Sequence, residues 1–354
     1  MRDTTRCSRC VLPATYPGIT FDDRGVCSAC TSHDRQASPA PTGGSKALLE
    51  LVSRSSSSSA PYQVVVPLSG GKDSAYALYA MRRIYGLRTL AVNFDNGFRS
   101  RPAEDNLHAL VTSLETDLVS LKPDWGLMRA LYAAFLRDPG EFCTVCNAMG
   151  YLVIMSFVVA EQQRLNARLP IVGAWSKQLE AMPGVYSFDV RYFHDVIAAA
   201  GLSDRLRRSA LVNEQCLDTL LNAPDPRQLA LGESAPVSYL LLPDHLDWNY
   251  RAIGETLRRE AGWRAPADSE NETHFDCTAY PAAKYLERRK YGFSQSTITY
   301  CALVRSGQMT RNHALAMLDR ESIAEPAEFE PFLNSIGLTP AEVNWNGRWH
   351  PQRR

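Results

Sequence analysis

The sequence predicts an α/β protein built on a doubly wound parallel sheet, with an N-terminal zinc-binding segment and a mostly helical C-terminal region. Three observations carry this. Short continuous apolar runs alternate with helical segments, the first run leads through a Ser-Gly-Gly turn into a helix, and four cysteines precede both. The run VVVPL at 64–68 is apolar throughout, as a strand buried on both faces must be. A helix is expected over 75–84, ended near Gly86, then a strand at 90–94 closed by Asp95-Asn96-Gly97. A second helix is expected over 103–114, a strand at 117–121, a helix around 149–164 and a strand at 170–174. Strands alternating with helices in this way make a parallel sheet with helical crossovers. The chain divides into a zinc-binding segment at 1–34, a linker at 35–62, a nucleotide domain at 63–200, a helical substrate region at 201–325 and a tail at 326–354. The linker is rich in Ser, Pro and Gly and cannot fold alone, although its apolar stretch at 47–52 is suited to one docked helix. No internal repeat of fixed period is present.

With 38 basic and 38 acidic residues the formal net charge is zero. That gives no global electrostatic reason to bind nucleic acid, a local basic patch being the alternative, and a nucleic-acid partner is not expected. The first residues lack the apolar core of a signal peptide, and no run of about eighteen apolar residues suggests a membrane span. The most apolar stretch, 151–160, has the length of a buried helix. A cytoplasmic protein without a membrane partner is expected. Nine cysteines in such a chain point to metal rather than to a disulfide framework.

The segment Ser69, Gly70, Gly71, Lys72, Asp73, Ser74 has the parts of an anion site. Glycines can take positive φ and let backbone N–H groups approach a ligand, and the N-terminus of the following helix carries partial positive charge. Lys72 adds a full charge and the two serines add hydroxyl donors. Asp73 either helps hold Mg²⁺ through water or caps the helix. A Walker A loop is excluded, because the positions that it requires as Gly and Ser/Thr hold Val66 and Asp73. In a doubly wound sheet the nucleotide lies at the carboxyl ends of the strands. Asp95 is then either a ligand on the adenosine side or simply a turn residue. The order SGGKDS after an apolar strand resembles the PP-loop of the ATP pyrophosphatases, which release pyrophosphate and adenylate their substrate.

Cys7-x-x-Cys10 and Cys27-x-x-Cys30 are separated by sixteen residues, a spacing suited to a four-cysteine zinc site. Four thiolates leave no open position, so the role is structural, and metal binding can fold a segment too small for its own core.

With both features in place, the chain resembles the N-acetyl sugar amidotransferases of surface-polysaccharide biosynthesis. The resemblance rests on CSRCVLP at 7–13, YPGITFDD at 16–23, GVCSAC at 25–30 and LSGGKDS at 68–74. It continues in FDNGF at 94–98 with Asn106 downstream, KYLERRKYGF at 284–293 and RSGQMTR at 305–311. It implies conversion of a sugar acetamido group into an acetamidino group. ATP adenylates the amide oxygen, pyrophosphate leaves, and ammonia displaces AMP. Lys72, with Asp73 beside it, and the Gly70 and Gly71 amides stabilise the departing pyrophosphate. ATP, Mg²⁺ and Zn²⁺ are the implied cofactors, a sugar-like small molecule the substrate, and a separate glutaminase subunit the ammonia source.

The pattern departs from the family in two places. Cys277 follows Asp276 where the family has an acidic pair, and Cys143-x-x-Cys146 lies upstream. Cys143, Cys146 and Cys277 are either packing residues or the three ligands of a [4Fe-4S] cluster in a sulfur transferase acting on a small molecule or tRNA. The segment GAWSKQLE at 173–180 follows the fourth strand, a position suited to substrate binding, without closely matching the family. Cys216 and Cys301 read as ordinary buried thiols. The run Arg288-Arg289-Lys290 is either an anion contact or a solvated helix face. A zinc-binding nucleotide sensor without catalysis is a third reading, disfavoured by intact Lys72 and Asp73.

Overall fold

The computed structural model describes residues 5–36, 44–138, 142–174, 190–222, 237–267, 274–321 and 324–345. The segment at 175–180, read above as a substrate contact, lies outside them. Five strands form one parallel sheet: β1 (Val64–Pro67), β2 (Thr89–Phe94), β3 (Asp117–Leu121), β4 (Ile171–Gly173) and β5 (Tyr239–Leu241). Their order is β3-β2-β1-β4-β5. The chain runs outward from β1 through β2 to β3, then returns to place β4 on the other side of β1. The switch point of the sheet therefore lies between β1 and β4, where ligands bind doubly wound folds.

The helices are α1 (Ser28–Gln36), α2 (Lys46–Ser56), α3 (Lys72–Tyr79), α4 (Arg101–Leu114), α5 (Trp125–Arg137), α6 (Phe142–Leu165), α7 (Val190–Ala199), α8 (Ser203–Arg207) and α9 (Glu214–Asn222). The remainder are α10 (Tyr250–Glu260), α11 (Tyr280–Tyr291), α12 (Gln295–Arg305), α13 (Arg311–Arg320) and α14 (Phe329–Ile336). Local chemistry sets several boundaries. Ser100 caps α4 by accepting from Ala103 N–H, with Pro102 in the first turn, and Asp124 caps α5 by accepting from Leu127 N–H. Gly292 stops α11 in the left-handed conformation.

Successive strand residues point to opposite faces, and both faces are covered. Val65, Leu90, Val92 and Ile171 pack with α5, α6, α7 and α9. Val64, Val66, Ala91 and Val172 pack with α2, α3, α4 and α10. This two-sided burial explains why the strands read as unbroken apolar runs. Helix α6 is long and apolar enough to cross a membrane by composition alone. Here it is the central core helix, with Leu152, Val153 and Val158 fully buried.

Two expectations change and a third holds. The sheet extends beyond residue 200, because β5 pairs with β4 through Ile171 with Tyr239 and Gly173 with Leu241. The segment after 325 is no tail: α14 places Phe329, Phe332, Leu333 and Ile336 in the core beside α6. The linker does dock a helix, since α2 buries Leu48 and Leu51. A third cluster joins the two ends of the chain: Cys7, Cys10, Leu12, Tyr16, Cys27 and Cys30 pack on Ile298, Cys301, Met317 and Leu318 of α12 and α13.

Phe332→Ala tests the reassigned tail. Its ring packs on Phe98 and Phe142 at centroid distances of 5.4 and 5.0 Å. Urea denaturation of the variant should show a loss of about 3–5 kcal/mol, whereas a solvated tail would give roughly 0.5 kcal/mol or less.

Candidate active site and metal centre

The loop that leaves β1 is pinned from beneath. Gly70 has φ of +88°, and a Cβ on it would lie 2.4 Å from the Ala103 carbonyl oxygen, so only glycine fits. Its own carbonyl accepts from Asn106 Nδ2 at 3.1 Å and from Trp263 Nε1 at 3.0 Å. Asn106 is held in turn by the backbone of Arg264, accepting from its N–H at 2.9 Å and donating to its carbonyl at 2.8 Å. Ser69 and Ser74 close the loop above: Ser74 Oγ accepts from Ser69 N–H at 3.1 Å, and Ser69 Oγ accepts from Gly71 N–H at 3.2 Å. Gly71 is the N-cap of α3 and supplies no side-chain cap. The first turn of α3 therefore presents its N–H groups and dipole at the loop, the arrangement that binds anions.

A cavity of about 360 Å³ opens at the carboxyl ends of the strands, within the size range of small-molecule sites. Ser69 and Ser74 line its polar end together with Asn93, Arg99 and Asp276; Tyr151, Ile154, Met155, Ile171 and Tyr239 line an apolar end. Asn93 is buried, donates to the Leu68 carbonyl at 2.6 Å and accepts from Arg99 and from Ser120 Oγ. Arg99, also bonded to Glu104, is thus a cation fixed on the cavity wall.

The remaining loop residues are placed differently from the sequence expectation. Lys72 does not line the cavity: it is 4% exposed, and its ammonium lies 4.7 Å from the centroid of the Tyr250 ring on α10. Burial lowers its pKa to about 8, against a smaller opposing effect of Asp73. Asp73 accepts from Trp248 Nε1 at 3.0 Å, and desolvation raises its pKa. Asp95 also stays off the cavity wall. Its carboxylate accepts from Gly97 N–H at 2.9 Å and pairs with Lys122 at 3.3 Å and Arg99 at 3.7 Å. These contacts suit the turn reading, and the neighbouring Asn96 lines the cavity.

The fourth wall comes from far along the chain. Residues 276–278 pair with 98–100: an antiparallel bridge joins Arg99 to Cys277, Ser100 N–H donates to the Asp276 carbonyl at 3.0 Å, and Thr278 N–H donates to the Phe98 carbonyl at 2.7 Å. This brings Asp276 so close to the loop that a Cβ on Gly71 would lie 3.1 Å from its Oδ2. Asp276 is a site residue that sequence reasoning did not assign. Its juxtaposition depends on a pairing across about 180 residues, which no local pattern records. Asn96 Nδ2 lies 3.5 Å from Cys146 Sγ and 3.8 Å from Cys277 Sγ, so two of the three suspected cluster sulfurs meet at the cavity. Cys143, one turn earlier on α6, packs against the core and is not on the cavity wall. Burial pushes the Cys277 thiol up to about 12 and raises that of Cys146 as well.

At the N-terminus the four predicted cysteines come together. Their Sγ atoms all lie within 4.8 Å of one another, and Cys7–Cys30 and Cys10–Cys27 are 3.9 and 3.8 Å apart. A tetrahedron with metal–sulfur bonds of about 2.3 Å has edges of about 3.8 Å, so the cage fits one zinc-sized ion. All four cysteines are fully buried. The N–H groups of Arg9, Cys10 and Cys27 point at Cys7 Sγ at 3.4, 3.4 and 3.2 Å. Hydrogen bonds from the thiols of Cys10, Cys27 and Cys30, and a smaller one from the Cys10 N–H, hold the Cys7 pKa far below the ordinary thiol value against its burial. Among the described residues this is the one group of three or more ligating side chains brought so close.

Residues 272–346 match a family model described as "LPS biosynthesis protein WbpG-like, C-terminal domain". This segment is therefore similar to a lipopolysaccharide-biosynthesis domain, and it is the part of the chain that supplies Asp276 and Cys277 to the cavity and α12 and α13 to the cysteine centre. No curated protein matches the chain at a significant level.

Gly70→Ala should unfold the loop rather than merely perturb it. The backbone clash and the positive φ together are expected to lower stability by roughly 2–5 kcal/mol. Urea denaturation measures this, and a variant as stable as wild type would show that the loop is not held as described.

Proposed function

We propose that the chain is an ATP-dependent amidotransferase acting on an N-acetylated sugar or related small metabolite. The observation that carries this reading is the placement of Ser69–Ser74 at the switch point of a 3-2-1-4-5 parallel sheet, with the opposite wall supplied by a segment similar to a lipopolysaccharide-biosynthesis domain. In this reading the triphosphate of ATP lies against the N-terminus of α3 and the hydroxyls of Ser69 and Ser74. The acetamido oxygen of the sugar attacks the α-phosphorus, the bond to the bridging oxygen breaks, and pyrophosphate departs. Ammonia then adds to the activated carbon, AMP leaves with its oxygen, and an acetamidino group remains. Arg99 and the α3 dipole favour negative charge developing on the phosphates.

Lys72 acts on the same charge only after its side chain turns from Tyr250 toward the loop, a movement that the negative charge of a bound polyanion would favour. Mg²⁺, which accompanies ATP and offsets its charge, would be held by Asp73 and Asp276, the carboxylates beside the loop. Ammonia is expected from a separate glutaminase subunit. The test is pyrophosphate release with ATP, ammonium and UDP-N-acetylhexosamines, with mass spectrometry of the sugar for replacement of oxygen by NH. Lys72→Ala should lower turnover by roughly 10²–10³-fold. Pyrophosphate release that is equal in wild type and variant would remove Lys72 from the mechanism.

One observation favours a second reading. Cys146 and Cys277 converge on Asn96 at the cavity wall, where a [4Fe-4S] cluster ligated with Cys143 would supply sulfide to an adenylated substrate. Anaerobically purified protein analysed for iron and acid-labile sulfide discriminates the two. Sulfur transfer requires both in the wild type and their loss in Cys277→Ser, whereas amidotransfer requires neither.

A further inference from the structure

Helix α12 carries a cation into the interior next to the cysteine centre. Arg305 is 5% exposed, and its Nη1 lies 4.0 Å from Cys10 Sγ. Its Nε and Nη2 are buried and have no hydrogen-bond partner among the described residues. An arginine cannot shed its charge as lysine can, so a buried guanidinium in this position needs a negative partner close by. Four protonated cysteines would provide none. Four thiolates around a divalent ion leave a net charge of about −2 spread over the sulfurs, and that charge sits where Nη1 points. The surrounding contacts suit the same state. Arg311 Nε donates to the carbonyls of Cys7 at 3.1 Å and Cys10 at 2.9 Å. Cys301, fully buried one turn before Arg305, packs in the same cluster as Cys10.

We infer that Arg305 is the counter-ion of a metal–tetrathiolate centre at Cys7, Cys10, Cys27 and Cys30, so that metal binding at the N-terminus and docking of α12 are one event. The inference rests on a metal occupying the four-cysteine centre. Arg305 touches no metal; it is a positioning residue that acts through Cys10. It distinguishes the loaded from the metal-free chain by charge: the same guanidinium stabilises the first and burdens the second.

The test uses the full chain as wild type, Arg305→Met and Arg305→Lys, each prepared zinc-loaded and chelator-stripped. Zinc affinity is read by competition with a chromogenic chelator, and stability by thermal unfolding of both forms. Arg305→Met should weaken zinc binding by roughly 10–100-fold, the usual scale for a lost outer partner, and Arg305→Lys should recover most of it. In the stripped form Arg305→Met should unfold at the same temperature as wild type or higher, because a buried unpaired charge has gone. Unchanged zinc affinity in Arg305→Met overturns the inference, as does an equal fall in unfolding temperature with and without zinc, which would mark a packing role only. Failure of the wild type to bind zinc, with Cys10→Ser indistinguishable from it, overturns the metal centre itself. Zinc binding by wild type and Arg305→Met alike leaves that centre standing and removes only the counter-ion.

Discussion

The Gly70 carbonyl is the point on which the site depends. It receives two buried N–H donors, one from α4 through Asn106 and one from the segment after α10 through Trp263. A buried backbone carbonyl must find such partners, and these two fix the peptide so that the next residues turn upward into the first turn of α3. The contact leaves no room for a side chain, since Ala103 stands directly behind. Two elements on the same face of the sheet are thereby locked to the loop, and the helix dipole is aimed into the crevice beside β1. Without that anchorage, Ser69, Ser74 and the α3 N-terminus would be present in the chain but not convergent.

The C-terminal segment contributes to both functional regions, and it does so through continuous packing. Residues 276–278 pair with 98–100 and bring Asp276 to the loop; α11 follows immediately, and the Tyr280 hydroxyl lies 2.8 Å from Ser296 Oγ in the first turn of α12. Helix α12 then buries Ile298 and Cys301 against the cysteine centre. The N-terminal centre and the cavity are thus linked by two consecutive helices of the segment that resembles a lipopolysaccharide-biosynthesis domain. A metal held by the four cysteines would stabilise an extension that lacks a large core of its own, as small metal-bound segments commonly require.

Much of the sheet was legible because its strands are buried on both faces. The VVVP of β1 and the LAVNF within β2 cannot be mistaken for half-exposed strands, and the glycines after β1 mark the turn. The two CxxC pairs were equally plain, because their spacing matches the geometry of one tetrahedral ion. Other elements carried no comparable signal. Strand β5 has three residues, and its pairing with β4 is set by packing rather than by a pattern. Helix α14 falls within the expected tail because its eight residues show only two turns of periodicity. Helix α6 begins at Phe142, ahead of the expected helix around 149–164, so Cys143 and Cys146 lie on its first turns.

By itself the sequence determined the chemistry on offer: a glycine-rich loop between strand and helix, four thiols spaced to hold a metal and a neutral overall charge balance. These follow from residue type and short-range spacing, which local stereochemistry converts directly into geometry. Only the tertiary structure decided which side chains share a space. It brought Asp276 to the loop, set Lys72 over Tyr250, paired Asp95 with Lys122 and placed Arg305 against Cys10. The physical reason is separation along the chain. These contacts join residues on different elements, and their energies come from burial and pairing that exist only once those elements have packed.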